Sequence, residues 1–336
     1  MTIGDVDLRR SVFIVAEIGN NHEGDIARAR EMVMAAAEAG ADAVKLQTFR
    51  TEHYVSRSDQ ARFARLKGFE LSTDTVLALA ELAAARGVKF LSTPFDLGSV
   101  ATLAPIVDAY KIASGDIAFF PLLSAVARTG KPVILSTGAS DLTRIDRAIE
   151  ALSSEWQAAG RDGEVAILHC VSAYPVPEDQ ANLLAIRTLA ERYPHPVGYS
   201  DHTIDIFAPI AAVALGARLI EKHFTLKKTL SDFRDHQLSA EPAEFQALVK
   251  AVRSVSAMLG TGVKTLQPCE RDMPIATGRS IVATRDLPAG HVVDHNDLTW
   301  VRPAGGLAPG DEAAVIGRVL TLALRCGDRV MPEHLR

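Results

Sequence analysis

His202 and His223 each close a short apolar run, in VGYSDHT and IEKHFTL. If those runs are neighbouring strands, about 4.8 Å apart, the two imidazoles can share one divalent cation and leave positions open for water or substrate. Such a pair suits Mn2+, Mg2+ or Zn2+; two hydrogen-bonded core histidines are the alternative. Lys45, Lys111 and Lys222 end similar runs, and hydroxyls stand at or near the run ends at Thr93, Ser114, Ser136 and Ser200. Lysines converging with hydroxyls suit an anionic substrate carrying phosphate and carboxylate, although any one lysine could equally make a rim salt bridge. Glu17 closes the first run, in AEIG, where a carboxylate near lysines can bond a sugar hydroxyl, act as a base, or simply hold a lysine in place. Gln47 follows Lys45, and His169 leads to Ser172 and Tyr174. Asp235-His236 lie in the polar stretch KKTLSDFRDHQLSAEP, a loop placed to cover a site. Asn21-His22-Glu23 lacks the His-Glu-x-x-His spacing of a zinc helix. Cys170 reads as a buried structural cysteine.

These residues need a scaffold that brings them to one end. The chain repeats a short run rich in Val, Ile and Leu, then an Ala-rich helix, often with a Gly stop (Gly40, Gly87, Gly130, Gly160, Gly216). The runs are Val12–Ala16, Ala43–Leu46, Val88–Leu91, Ala109–Ile112, Pro132–Leu135, Val165–Leu168, Val197–Tyr199 and Arg218–Ile220. Continuous apolar runs are expected of parallel strands covered on both faces. The spacing of Ile26, Ala29, Val33 and Ala37, and of Val76, Leu79, Leu82 and Ala83, predicts helices that bury those positions. Eight units over residues 1–259 predict an α/β fold, a (β/α)8 TIM barrel, whose chemistry belongs at the C-terminal ends of the strands. A doubly wound sheet is the rival, but no Gly-x-Gly-x-x-Gly follows the first strand. Residues 260–277 read as a linker. Residues 278–336, with short β-like runs between Pro and Gly turns, read as a small β-rich domain.

Composition narrows the function. The chain has 336 residues, 48% hydrophobic and 23% charged, with a net charge of −5. That supports a sizeable core, and it predicts no nucleic-acid partner, which would need a basic face. Three scattered cysteines predict neither a disulfide framework nor a zinc ribbon, and point to a reducing cytoplasm. No signal peptide and no membrane span are expected.

At these residues the chain resembles the sialic acid synthase family. The matching segments are FIVAEIGNNHEGD, DAVKLQTF, FLSTPFD, YKIASGD, PVILSTG, ILHCVSAYPVP, VGYSDHT and IEKHFTL, in order. GRSIVATRDLPAG…LTWVRPAGGLAP resembles the antifreeze-like (SAF) domain that follows the barrel in that family. The resemblance implies a transferase that condenses phosphoenolpyruvate with an N-acetylated aldose and water to give a nine-carbon 2-keto acid and phosphate. The aldose would be N-acetylmannosamine or a 2,4-diacetamido-trideoxyhexose. It implies that Lys45, Lys111, Ser114, Ser136 and Ser200 hold phosphoenolpyruvate, with Gln47 and Thr93 as further substrate-binding candidates. Glu17 would contact the sugar and move a proton, and His202 and His223 would hold a metal, Mn2+ first. Tyr174 and Asp235 would meet the sugar. Arg279 would reach a partner subunit's site, which implies a domain-swapped homodimer. Two features depart from the neuraminic acid pattern, both at the sugar end: Ser172 replaces Asn, as in the legionaminic and pseudaminic branches, and SDFRDH replaces a loop with Gly-Pro before Asp. A Schiff-base aldolase using one of the lysines and a non-catalytic sugar-acid binding protein are the alternatives.

Overall fold

Eight parallel strands close into a barrel in chain order: β1 (Phe13–Gly19), β2 (Ala43–Thr48), β3 (Lys89–Pro94), β4 (Ala109–Ile112), β5 (Val133–Ser136), β6 (Val165–Cys170), β7 (Val197–Asp201) and β8 (Leu219–His223), with β8 pairing back onto β1. Helices cover the outside, α1 (Ile26–Glu38), α3 (Thr73–Ala85), α4 (Leu97–Leu103), α5 (Phe120–Thr129), α6 (Leu142–Ala158), α7 (Ala185–Arg192), α8 (Phe207–Ala214) and α9 (Pro242–Met258), while α2 (Gln60–Phe69) lies in the connection between β2 and α3. The computed structural model describes all 336 residues and divides into two compact units, Met1–Gly260 and Thr261–Arg336. No helix is long and apolar enough to cross a membrane.

Local signals set the helix ends. Asp25, Ser72 and Asp141 cap α1, α3 and α6 by accepting a backbone N–H from the residue three further on, which satisfies one of the donors a helix start leaves free. Gly130 ends α5 in the left-handed conformation, φ 75°, where a Cβ would be strained. The buried stripe of α1 is Ala29, Met32, Val33 and Ala36 rather than the expected set, and Ile26 is 51% exposed.

Strand alternation sorts every side chain to the inside or the outside. On the inward phase the lower positions are apolar. Phe13, Val15, Ala43, Leu91, Ala109, Ile134, Ala166, Leu168 and Leu219 pack as one cluster, with Ile3 and Leu8 from an N-terminal stretch whose Thr2–Ile3 and Val6–Asp7 pair antiparallel. The upper inward positions are polar and form the floor of a cavity. The outward phase packs against the helices in the larger core.

The loop between β2 and α3 carries α2, an insertion that the strand–helix count did not anticipate. Phe49, Leu66 and Phe69 form a separate cluster there, joined by Tyr54, Phe95 and Phe233. Of the stretch 260–277, expected to be a linker, residues 261–277 cluster with the second unit and hold a helical turn, α10 (Met273–Thr277). In that unit β9 (Ser280–Ala283) pairs antiparallel with β10 (Leu298–Val301). Single bridges such as Leu287↔Leu324 and Leu320↔Leu335 supply the remaining pairing around a core of Ile281, Leu298, Val315 and Val330.

Candidate active site

The C-terminal ends of the strands surround a cavity of about 1190 Å3. Glu17, Lys45, Gln47, Thr93, Lys111, Ser114, Ser136, Ser172, Tyr174, Ser200, His202, His223 and Asp235 all line it. Most of them owe that position to strand parity. Glu17, Lys45, Lys111, Ser136 and Ser200 each lie two residues beyond an inward apolar or small residue, and Glu221 and His223 lie two and four beyond inward Leu219, so they too face inward. Arg279 belongs to the second unit, where its guanidinium donates to the Trp300 carbonyl at 2.6 Å.

Four buried charges make the floor. Lys45 Nζ lies 2.7 Å from Glu17 Oε2 and 3.6 Å from Glu221 Oε1, and donates to Thr93 Oγ1 at 3.2 Å. Lys111 Nζ lies 3.3 Å from the same Glu221 Oε1, and Ser200 Oγ donates to it at 3.1 Å. Gln47 Nε2 donates to Glu17 Oε1 at 3.4 Å, and Gln47 Oε1 accepts from Asn20 Nδ2 at 2.7 Å. Two ammonium and two carboxylate groups together approach neutrality, which is what lets them be buried. Burial raises the Glu17 carboxyl above its ordinary range, against the pull of Lys45. Burial also works against the Glu221 carboxylate, but Lys111 and Lys45 outweigh it and hold that group low. Burial pulls Lys111 down, with Glu221 opposing. For Lys45 burial is outweighed by Glu17 and Glu221, so its pKa rises. Within the quartet the two carboxyls are thus shifted in opposite directions, Glu17 up and Glu221 down.

The two histidines stand on one side, ring centroids 5.4 Å apart, with Tyr174 4.1 Å from the His202 ring. His202 Nδ1 lies 2.8 Å from the Val171 carbonyl. A carbonyl only accepts, so Nδ1 carries the proton and Nε2 keeps its lone pair. Burial lowers the pKa of His202, and burial with the neighbouring His202 lowers that of His223 still further. His223 Nδ1 is buried with no hydrogen-bond partner. Two neutral imidazoles, one with an orphaned nitrogen, fit a divalent cation. No third His, Cys, Asp or Glu joins them into a closed ligand set, so remaining positions would fall to water and substrate, as in catalytic sites. Ser136 Oγ and Glu221 Oε2 are likewise buried and unpartnered. Buried polar atoms are rarely left so, and a polar ligand in the cavity would satisfy them.

Several residues that close the runs point elsewhere. Ser92 bonds Thr48 and the Leu46 carbonyl, Thr137 donates to the Leu168 carbonyl, and His169 lies 2.9 Å from the Ala181 carbonyl. Lys222, expected to converge with the other lysines, is fully buried on the outward phase. It donates to Asp201 Oδ2 at 2.7 Å and to the Thr203 carbonyl at 2.5 Å. Lys222→Met would strand the Asp201 charge among the helices. It is expected to destabilise the protein by about 3–5 kcal/mol, the scale for breaking a buried pair from one side. Urea unfolding followed by circular dichroism reads that loss, and a change below about 1 kcal/mol would mean the pair is not held as described.

Other cavity residues escaped the reading of run ends. Glu221 was hidden behind Lys222, although parity from His223 would have found it. Cys170 was assigned a purely structural place, yet it lies on the cavity wall, 3.8 Å from His202 Nδ1. Burial raises its pKa, so the thiol stays protonated and is no nucleophile. Asp116, which burial pushes up to about 6, and Tyr54, Arg62 and Arg65 of the β2–α3 insertion complete the rim. No local pattern marked them.

Comparison with known proteins accords with this architecture. The model of the NeuB family matches residues 32–264, and that of the SAF domain matches residues 278–336. The chain is 46% identical over 308 residues to the uncharacterized protein MJ1065 of Methanocaldococcus jannaschii, covering 91% of this chain and 89% of that protein. It is 38% identical over 339 residues to the N,N'-diacetyllegionaminic acid synthase of Legionella pneumophila, covering 96% and 94%. Among solved structures, the N-acetylneuraminic acid (sialic acid) synthetase of Leptospira borgpetersenii, in complex with citrate, superposes with a TM-score of 0.76. Its sequence identity is 37%, over 81% of this chain and 94% of that one. With a family model matched over most of its length and relatives this similar across nearly the whole of both chains, the chain belongs to the NeuB family, carries a SAF domain at its C-terminal end, and is an enzyme.

Proposed function

We propose that the enzyme condenses phosphoenolpyruvate with an N-acetylated aldose and water, giving a nine-carbon 2-keto acid and phosphate. The observation that carries this reading is the make-up of the cavity, in which two buried lysines among hydroxyls stand with two imidazoles, one of them with a bare nitrogen. Lys45, Lys111, Ser114, Ser136 and Ser200 would take the phosphate and carboxylate of phosphoenolpyruvate, with Thr93 and Gln47 supporting the Lys45–Glu17 pair. Tyr174, Ser172 and Asp235 would meet the aldose. Carbon 3 of phosphoenolpyruvate forms a bond to the aldehyde carbon, whose oxygen takes up a proton. Water adds at carbon 2, and the bond from carbon 2 to the phosphate oxygen then breaks to release phosphate. Glu17, the carboxyl that burial inclines to hold a proton, is placed to give and recover it.

His202 and His223 would hold a divalent cation, Mn2+ before Mg2+, which when bound polarises a carbonyl as a Lewis acid. A 2,4-diacetamido-trideoxyhexose is favoured over N-acetylmannosamine by Ser172. A domain-swapped homodimer in which Arg279 serves the cavity of a second copy, working in the cytoplasm, belongs to the same proposal. The lowered pKa of buried Lys111 is the one observation that favours a Schiff-base aldolase instead.

The test is phosphate release from phosphoenolpyruvate with N-acetylmannosamine, mannose and the 2,4-diacetamido-trideoxy sugars of manno and altro configuration, with EDTA or added Mn2+. Metal-dependent release with one amino sugar is expected. Metal-independent turnover, together with a lysine adduct trapped by borohydride, would replace the reading with the aldolase.

A further inference from the structure

The turn Asn20–Glu23 contains the Asn-His-Glu triplet that fits no zinc motif. The structure gives it a different task. Asn21 is fully buried, and its Nδ2 donates to the Phe224 carbonyl at 2.8 Å and to Ser239 Oγ at 2.9 Å. Ser239 Oγ in turn donates to the Asp235 carbonyl at 2.6 Å. Two residues along, Glu23 Oε1 lies 3.1 Å from Nε2 of His236, which is also fully buried. His236 Nδ1 lies 2.7 Å from Thr225 Oγ1. Both links thus run from the loop after β1 to the short helical turn Asp235–Leu238 after β8, and both end on Asp235 or its neighbour.

The turn is itself firmly held. Glu23 has a left-handed backbone, φ 50°, which a non-glycine residue keeps only where its surroundings over-determine it. Arg28 donates to Glu23 Oε1 at 3.1 Å. Gly24, φ 81°, approaches α2 so closely that a Cβ would stand 2.0 Å from the Gly68 carbonyl oxygen. On the other side Phe233 packs edge-on to Phe69 of α2, with centroids 5.2 Å apart, and edge-on to His236 at 6.0 Å. Three segments far apart in sequence therefore lock into one wall. Asp235 stands on that wall facing the cavity, while His236 and Ser239 lie behind it and do not line the cavity.

We propose that the Glu23–His236 and Asn21–Ser239 links are a strut that sets the position of the Asp235 carboxylate, and that His236 and Ser239 are positioning residues for aldose affinity. The inference rests on the reading of Asp235 as an aldose contact. Asp235 leaves its own loop only the Arg234 contact, Nε at 3.4 Å, so its carboxylate is aimed by backbone and neighbours rather than by a bond network of its own. A group held this way tolerates little misplacement.

The test uses the full-length enzyme with phosphoenolpyruvate and the amino sugar that turns over in the panel above. His236→Ala and Ser239→Ala are each expected to raise KM for the aldose by about tenfold, the scale of one lost hydrogen bond. KM for phosphoenolpyruvate should stay within about twofold, a split that general loosening of the fold would not produce. Glu23→Gln keeps an oxygen acceptor for His236 and is expected to behave almost as the parent, whereas Glu23→Ala should match His236→Ala. Equal increases in both KM values, or an unchanged aldose KM in both His236→Ala and Ser239→Ala, would overturn the strut. An effect confined to Glu23→Ala would also overturn it, because Glu23 lines the cavity and would then be touching the sugar directly. Asp235→Ala separates the two readings. If it leaves the aldose KM unchanged, the assignment of Asp235 fails. If it raises the aldose KM while His236→Ala and Ser239→Ala do not, only the strut fails.

Discussion

Lys111→Met is expected to lower kcat/KM for phosphoenolpyruvate by about 10^2–10^4-fold while the barrel still folds. Two losses combine. A charge-assisted bond to an anionic substrate is worth about 1.5–3 kcal/mol. Removing Lys111 also leaves Glu221 with Lys45 as its one remaining cation, at 3.6 Å, and with Ser200, so the floor gains uncompensated negative charge where an anion must bind. One-sided removal of a buried charge costs about 3–5 kcal/mol, part of which is expressed as lost stability. The double variant Lys111→Met/Glu221→Gln checks this partition. It should recover stability, because the stranded charge is gone, and it should not recover activity, because the cation for the substrate is still missing. Circular dichroism and urea unfolding read the first effect, and coupled phosphate release reads the second. If Lys111→Met retains more than about a tenth of the parent kcat/KM, less than 1.4 kcal/mol was at stake, and Lys111 does not hold the substrate.

The second large effect is expected at the histidines. His202→Ala and His223→Ala each leave one imidazole, and a single histidine is a weak ligand for Mn2+ or Mg2+. Each variant should lose about 10^2–10^3-fold in turnover at a fixed, low Mn2+ concentration. Part of that loss should return as Mn2+ is raised, because the defect lies in affinity. The double variant should be no worse than about tenfold below either single one, since both act on one bound ion and such effects are not additive. Mn2+ binding, followed by the loss of its free paramagnetic resonance signal on titration with protein, provides a readout separate from activity. Full turnover by the EDTA-treated protein would remove the cation from the mechanism. In that case the neutral imidazoles and Tyr174, at 4.1 Å from His202, would have to polarise the aldehyde by hydrogen bonds alone.

Much of the architecture was legible in the chain because its signals are local. Continuous Val, Ile and Leu runs mark strands covered on both faces, and Gly after an Ala-rich stretch marks a helix end. Each residue that closed a run could be placed at the top of a barrel because strands in a (β/α)8 fold all point one way. The candidate residues of the barrel are therefore legible at the ends of those runs.

Tertiary structure decided what those local signals leave degenerate. In a run that is apolar on both faces, alternation tells which residues share a face but not which face is the inside. His223 and Lys222 therefore looked equivalent, and Glu221 was passed over. Closure of the barrel settles the phase: Glu221 turns inward onto two lysines, and Lys222 turns outward onto Asp201. Sequence also carries little about partners brought together across long separations. The bond from Asn21 to Ser239 spans 218 residues, and the contact from Glu23 to His236 spans 213. The insertion after β2 packs at the cavity rim against residues far along the chain, Phe69 meeting Phe233 from beyond β8 and Tyr54 stacking on Phe95. Alternation, helix caps and composition are properties of neighbouring residues, so the chain determined its elements and the kinds of chemistry at their ends. The charge balance on the cavity floor and the wall that aims Asp235 depend on closing the barrel, because only then do residues from β1, β2, β4 and β8 share one low-dielectric space.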